Sequence, residues 1–215
     1  MQPGSLIESA TLLPEHIAGV DEAGRGCLAG PVVAGAAVLP ENYDLPYLTD
    51  SKKLTAAKRE VLFDQVREQA LFWAIGVAWP AEIDRVNILQ ATFRAMSRAL
   101  KHLRTTPRLI RIDGNQTLPA HLMPYNTAQE AVIKGDGTVP AISAASILAK
   151  TFRDRVMIKL ARQHPQYGFD AHMGYGTKVH CEAIKKHGPC RMHRMTFGKV
   201  APEKPAAKQA GLPGL

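Results

Sequence analysis

Glycines 24, 26 and 30 lead into Pro31-Val32-Val33-Ala34-Gly35-Ala36-Ala37-Val38-Leu39 rather than into a helix, and this junction limits what the N-terminal part can become. A glycine-rich turn that binds a dinucleotide must open a helix, whose N-terminus faces the pyrophosphate. The run after Gly30 is β-branched, broken by glycine and bounded by proline, which predicts a strand. Ahead of the glycines, the short apolar run Ile17, Ala18, Val20 predicts another. Two strands joined by a glycine-flanked loop is therefore the expected start, and a dinucleotide fold is disfavoured.

Downstream, strands and helices alternate. Asp50 to Leu54 is a polar loop, and Thr55 is suited to N-cap a helix running to about Gln69. Leu71 to Trp79 alternates small and bulky residues, with Trp73, Ile75, Val77 and Trp79 on one face, as a strand does. Pro80 then starts a helical stretch in which Leu89, Phe93, Met96, Leu100 and Leu103 keep one apolar stripe. That stripe, together with Trp73 and Trp79, is assigned to the core. Arg108 to Asp113 is a strand ending in an acid, and Ala131 to Asp136 repeats the design. Pro140 to about Arg162 is a long helix whose first half is rich in small residues, which permit close approach to a sheet or a ligand. A last helix runs from Thr177 as N-cap to Gly188 beyond its C-terminus. The pattern predicts an α/β fold, a mixed sheet flanked by helices with a helical C-terminal extension.

A chain of 215 residues can bury one sizeable core. Residues 1–198 are expected to form a single domain whose part from about 163 is helical, and 199–215, rich in proline, alanine and lysine, a disordered tail. No segment reaches the roughly 18 uninterrupted apolar residues of a membrane helix. The start Met1-Gln2-Pro3-Gly4 lacks the features of a secretory signal, and three cysteines in no repeated pattern fit a reducing compartment, so a cytoplasmic protein without membrane association is expected. Formal net charge is +8, and residues 150–199 hold 11 Lys and Arg against 3 Asp and Glu. Such asymmetry suits a polyanionic partner. Cys181, His187, Cys190 and His193 fit no usual zinc spacing. His180 and His193 are assigned phosphate-proximal or structural roles.

Three predicted strands end in acids: Asp21-Glu22, Asp113 and Asp136. If those strands are neighbours, four carboxylates gather at one sheet edge, where without cations they would repel and at least one would protonate. Two divalent ions about 3.5–4 Å apart remove that penalty and suit phosphodiester cleavage. Gly24-Arg25-Gly26 adds backbone donors and a guanidinium matched to phosphate. One difficulty is that neighbouring strand side chains point to opposite faces, so Asp21 and Glu22 share a site only if the strand twists or ends there, or if one binds through its carbonyl.

The runs Gly19-Val20-Asp21-Glu22-Ala23-Gly24-Arg25-Gly26, Asp50-Ser51-Lys52-Lys53-Leu54, Ile112-Asp113-Gly114-Asn115 and Lys134-Gly135-Asp136 resemble type 2 ribonuclease H, the bacterial ribonuclease HII. So do Ile142 to Lys150, Arg153-Asp154, Gly174-Tyr175 and His193-Arg194-Met195-Thr196-Phe197, in family order across about residues 17–198. The resemblance implies a ribonuclease H-like sheet and Mg²⁺- or Mn²⁺-dependent cleavage of RNA in RNA–DNA hybrids. It also implies incision at single ribonucleotides embedded in duplex DNA, leaving 3′-hydroxyl and 5′-phosphate ends. By that likeness Asp21, Glu22, Asp113 and Asp136 are the catalytic metal ligands. Gly24, Arg25 and Gly26 would read the ribose 2′-hydroxyl and its phosphate, and Tyr175 would stack on the neighbouring sugar. Lys52, Lys53, Ser143, Ser146 and Lys150 would meet the substrate backbone, while Asp154 is either a supporting acid or a partner for Lys150. Cys27 stands where the family usually has proline. A monomer is expected, and Gln209-Ala210-Gly211-Leu212 is a poor match to a sliding-clamp peptide.

Overall fold

The computed structural model describes residues 16–48, 51 and 54–200. Strands β1 (Ile17–Ala23), β2 (Val32–Val38), β3 (Phe72–Ala78), β4 (Leu109–Asp113) and β5 (Ala128–Val132) form one sheet in the order β3-β2-β1-β4-β5. The first two strands and β3 pair antiparallel, as a meander, whereas β1–β4 and β4–β5 are parallel. The sheet is mixed, as expected. Because β1 and β4 run side by side in the same direction, with Val20 opposite Ile112, their C-terminal acids emerge at the same edge.

Helix α1 (Ala56–Gln69) begins where expected, with the Thr55 hydroxyl accepting from the Lys58 amide. The stretch expected as one helix after Pro80 is two, α2 (Pro80–Val86) and α3 (Ile88–His102). Asn87 takes φ 67 between them, and its side chain caps α3 by accepting from the Gln90 amide at 3.0 Å. The stripe Phe93, Met96, Leu100 and Leu103 is buried on the small-residue face of the sheet, against Ala36, Ala74 and Ala78. The bulky face of β3 turns the other way, where Trp73 and Ile75 pack toward Leu62, Phe63 and Val66 of α1. Trp79 leaves the strand and is 45% exposed, so its expected place in the core is corrected.

Helix α4 (Pro140–Gln163) crosses β1 and β2 on the face opposite α3. Its small residues serve the sheet. A Cβ on Gly19 would stand closer than 3.0 Å to the backbone of Ala141, and one on Gly35 would do the same at the Ala145 carbonyl. Only hydrogen at both positions lets the helix lie this close. Two short elements follow, α5 (Phe169–His172) and α6 (Lys178–His187), the latter capped by Thr177 and stopped at Gly188 with φ 72. Val200 is buried against Leu28 and Ile184, so packing continues two residues beyond the expected domain end; 201–215 lie outside the described residues.

One strand boundary differs from expectation in a way that matters. The fifth strand stops at Val132, and Lys134 at φ 58 turns the chain into a short 3-10 turn, Gly135–Gly137. Asp136 therefore sits in a turn after the strand, not at its end. The Ser143 hydroxyl, from the first turns of α4, donates to the Asp136 carbonyl at 2.7 Å and holds that turn in place.

Candidate active site

Asp21, Asp113 and Asp136 come from the end of β1, the end of β4 and the turn after β5. A carboxylate oxygen from each lies within 4.8 Å of the others. The Asp136 amide donates to Asp113 Oδ1 at 3.3 Å, which ties the turn to the strand end. Asp21 and Asp136 are buried. Burial pushes the Asp21 carboxyl well above its ordinary range, the charges of Glu22 and Asp113 add to this, and hydrogen bonds from Ser146 and the Glu22 amide oppose it. A buried acid lifted by other acids is a site that gains from a cation. Three oxygen donors this close suit a hard divalent ion such as Mg²⁺ or Mn²⁺.

Glu22 is not one of the three clustered groups, yet it lines the same cleft, of about 250 Å³. Its carboxylate meets Arg25 Nη1 at 3.3 Å. The alternation difficulty is eased because β1 ends one residue later, at Ala23. Gly24, Arg25, Gly26, Ser146, Lys150 and Tyr175 complete the cleft wall along with Ser51 and Asp113. Gly24 takes φ +93, a conformation that favours glycine, and turns the chain so that Arg25 stands half-exposed over the acids.

Not every expected contact is at the cleft. Ser143 is buried and engaged with backbone carbonyls, so its place is beneath the Asp136 turn. Asp154 binds Lys150 Nζ at 2.7 Å and Arg59 at 3.3 Å, one of the two roles the sequence allowed for it. Lys52 and Lys53 lie outside the described residues. Ser51, part of a matching run but given no role from the sequence, places its hydroxyl 2.9 Å from that of Ser146 in the cleft lining. Two arginines counted with the basic third are fully buried, Arg153 and Arg194, and so cannot be surface for a polyanion. His180 and His193 are buried too, which makes them structural groups rather than phosphate contacts.

The sequence model of the family described as ribonuclease HII matches residues 18–200. The chain belongs to the ribonuclease HII family. It is accordingly a ribonuclease H, an endonuclease acting on the RNA of RNA–DNA hybrids. The ribonuclease HII of Nitratidesulfovibrio vulgaris is 58% identical over 206 residues, covering 93% of this chain and 94% of that one. The solved ribonuclease H2 of Pyrococcus horikoshii shares the fold with a TM-score of 0.70 at 30% identity, over 86% of this chain and 94% of the other. The ribonuclease HII of Archaeoglobus fulgidus, solved as a complex with PCNA, gives a TM-score of 0.70 at 26% identity over 85% of this chain and 95% of the other. The ribonuclease H-like α/β fold follows, with the acids of this ribonuclease HII chain at the sheet edge.

The histidines behind the cleft make a pH prediction. Burial first, then the neighbouring His180 ring, lowers His193 to about 4, and His180 is lowered as well, mainly by burial. His164 and His172 act on His193 in the same direction, while its bond with the Cys190 backbone opposes them. An unfolded histidine titrates near 6.5. Between those values the unfolded chain takes up a proton that the native chain refuses. This stabilising contribution is present above about pH 6.5 and is lost as pH falls to about 4. His193→Gln removes the titrating ring, and it will flatten the fall in urea-derived stability across that window by on the order of 3 kcal/mol. An unchanged slope would contradict the assignment.

Proposed function

We propose that this ribonuclease HII incises duplex DNA at single embedded ribonucleotides as well as cutting RNA–DNA hybrids, leaving 3′-hydroxyl and 5′-phosphate ends. The observation that carries this reading is the sharing of one cleft by Asp21, Glu22, Asp113 and the Gly24-Arg25-Gly26 loop, with an Asp136 carboxylate oxygen within 4.8 Å of those of Asp21 and Asp113. Asp21, Asp113 and Asp136 would hold two Mg²⁺ or Mn²⁺ ions, with Glu22 completing the set. When bound, such ions activate an attacking water and stabilise the departing oxygen.

The chain's own residues do the rest. Arg25, half-exposed above Glu22, offers a planar donor pair to the phosphate beside the scissile bond. The loop amides at Gly24 to Gly26 are suited to the 2′-hydroxyl, the group that separates RNA from DNA. Tyr175, 46% exposed at the cleft wall, offers a ring to the adjoining sugar. Lys150 is held toward the cleft by Asp154 and adds positive potential for the backbone, a task Lys52 and Lys53 are proposed to share. Ser146 hydrogen-bonds Asp21 and orients the acid. Ser143 is proposed to support the substrate side only indirectly, by fixing the Asp136 turn. Action as a monomer is part of this proposal. The residues of the proposed clamp-peptide comparison, 209–212, lie outside the described ones.

The test is a pair of duplexes differing only in one 2′-hydroxyl, assayed with Mg²⁺ and with Mn²⁺. Incision 5′ or 3′ to the ribonucleotide is mapped by end chemistry. A site that reads a hydroxyl by hydrogen bonding will favour the ribonucleotide duplex by about 10⁴-fold over all-DNA. Equal rates on the two duplexes would refute the assigned reader.

A further inference from the structure

Two buried clusters behind the cleft remain without a role in the chemistry: the guanidinium of Arg194 and the histidines around His193. The Arg194 side chain, fully buried, donates to the carbonyls of Gly24 (2.6 Å), Arg25 (2.7 Å) and Gly30 (3.0 and 3.1 Å). Gly24 and Arg25 belong to the loop that lines the cleft, and Gly30 lies just beyond it. No carboxylate balances this charge in those bonds; three carbonyl groups do, which fixes the loop's curvature from behind. Burial lowers Arg194 only to about 10, so it remains a cation at neutral pH.

The residue before it reaches the other reader. His180 Nδ1 lies 2.9 Å from the Tyr175 carbonyl, which can only accept, so that nitrogen carries the proton. His193 Nδ1 lies 3.0 Å from the Cys190 amide and 3.3 Å from the Cys190 carbonyl; in the tautomer that accepts from the nearer amide, the proton sits on Nε2. His193 Nε2 then donates to His180 Nε2 at 3.2 Å. In that tautomer both rings are neutral and the His193–His180 contact has one donor and one acceptor. The backbone continues the connection: Arg194 donates its amide to the Leu28 carbonyl, and the Leu28 amide donates to the Gly174 carbonyl.

We propose that the segment from Cys190 to Arg194 is a strut that sets the spacing between the two sugar-reading elements, with Arg194 positioning the Gly24–Gly26 loop and His193, through His180, positioning Tyr175. Its role is selectivity for an isolated ribonucleotide. Continuous RNA offers many equivalent sugars, so a loose pair of readers still finds a productive register. A lone ribonucleotide offers one, and loop and ring must meet it together. The inference rests on the reading of Gly24–Gly26 and Tyr175 as the substrate readers.

The variants are His193→Asn, His193→Gln and Arg194→Lys in the full chain. Asparagine can accept the Cys190 amide but cannot reach His180, glutamine can extend an amide donor to His180, and lysine cannot span three carbonyls. Initial rates are measured on a single-ribonucleotide duplex and on a continuous RNA–DNA hybrid, with circular dichroism and thermal unfolding as fold controls. The expected result is a drop of about 10- to 100-fold in the single-ribonucleotide to hybrid ratio for His193→Asn and Arg194→Lys, carried by kcat rather than KM. His193→Gln restores most of the ratio. Folded variants that lose both activities equally, or neither, overturn the strut. Should Arg194→Lys fail to fold, the His193 pair decides in the same way, and loss of fold in every variant overturns the proposal in favour of a purely structural clamp. A wild-type enzyme that cut the all-DNA duplex as fast would instead overturn the reader assignment beneath it.

Discussion

Replacing Asp113 with asparagine will reduce cleavage of an RNA–DNA hybrid by at least about 10³-fold while leaving the fold and duplex binding in place. The expectation comes from where the residue sits. Asp113 ends a central strand, its Oδ1 accepts the Asp136 amide at 3.3 Å, and its carboxylate is one of three that converge within 4.8 Å. Asparagine keeps an oxygen for that amide and nearly the same shape, so the turn has no reason to move. What it removes is charge. Asp113 raises the Asp21 carboxyl through space, so the substitution relieves repulsion in a crowded acid group.

The two consequences separate stability from function. In chelator, Asp113→Asn will unfold at the same temperature as the wild type or slightly higher. On adding millimolar Mg²⁺ or Mn²⁺, the wild type will gain thermal stability by mass action and the variant will gain much less. Duplex affinity measured in Ca²⁺ or chelator will change little, since the basic loop and Lys150 are untouched. A variant that loses binding as strongly as turnover would show that Asp113 supports the substrate surface and not the ion site.

Local signals explain why much of this was legible in the sequence. Thr55, Thr177 and Gly188 act on the amides and carbonyls beside them, and the structure places them as helix ends. The acid at the end of the strand Leu109–Asp113 was legible because strand and acid are contiguous. Asn87 was missed as a helix break, although Asn87-Ile88-Leu89-Gln90 carries a cap residue three positions before a glutamine. The apolar run Ala131-Val132-Ile133 predicts a strand end at Asp136. Only the left-handed turn at Lys134 moves it into a loop, and no local rule requires that turn. Arg153 and Arg194 were hidden for a different reason. Arg153 binds the Ala29 and Pro31 carbonyls more than 120 positions away in sequence, and Arg194 binds loop carbonyls further still. A count of charges cannot distinguish a buried cation that holds a loop from an exposed one that attracts phosphate.

The small-residue start of α4 leads to the second large effect. Gly19→Ala will destabilise the protein by about 3 kcal/mol or more. The added methyl would stand within 3.0 Å of the Ala141 carbonyl carbon and oxygen and of the Ile142 amide nitrogen, all backbone atoms in the first turn of a helix. A flexible side chain could swing aside; a helix can only lift. Lifting α4 at this end also draws Ser143 away from the Asp136 turn and Ser146 away from Asp21, so activity will fall further than the unfolded fraction accounts for. Gly137→Ala is the matched control, because a Cβ there meets nothing within 4 Å, and its stability will stay within about 0.5 kcal/mol of wild type. Urea unfolding of both variants, with rates measured well below the transition, checks the pair. If Gly19→Ala proves as mild as the control, the close seating of α4 on β1 is not what holds the acid turn beside Asp21.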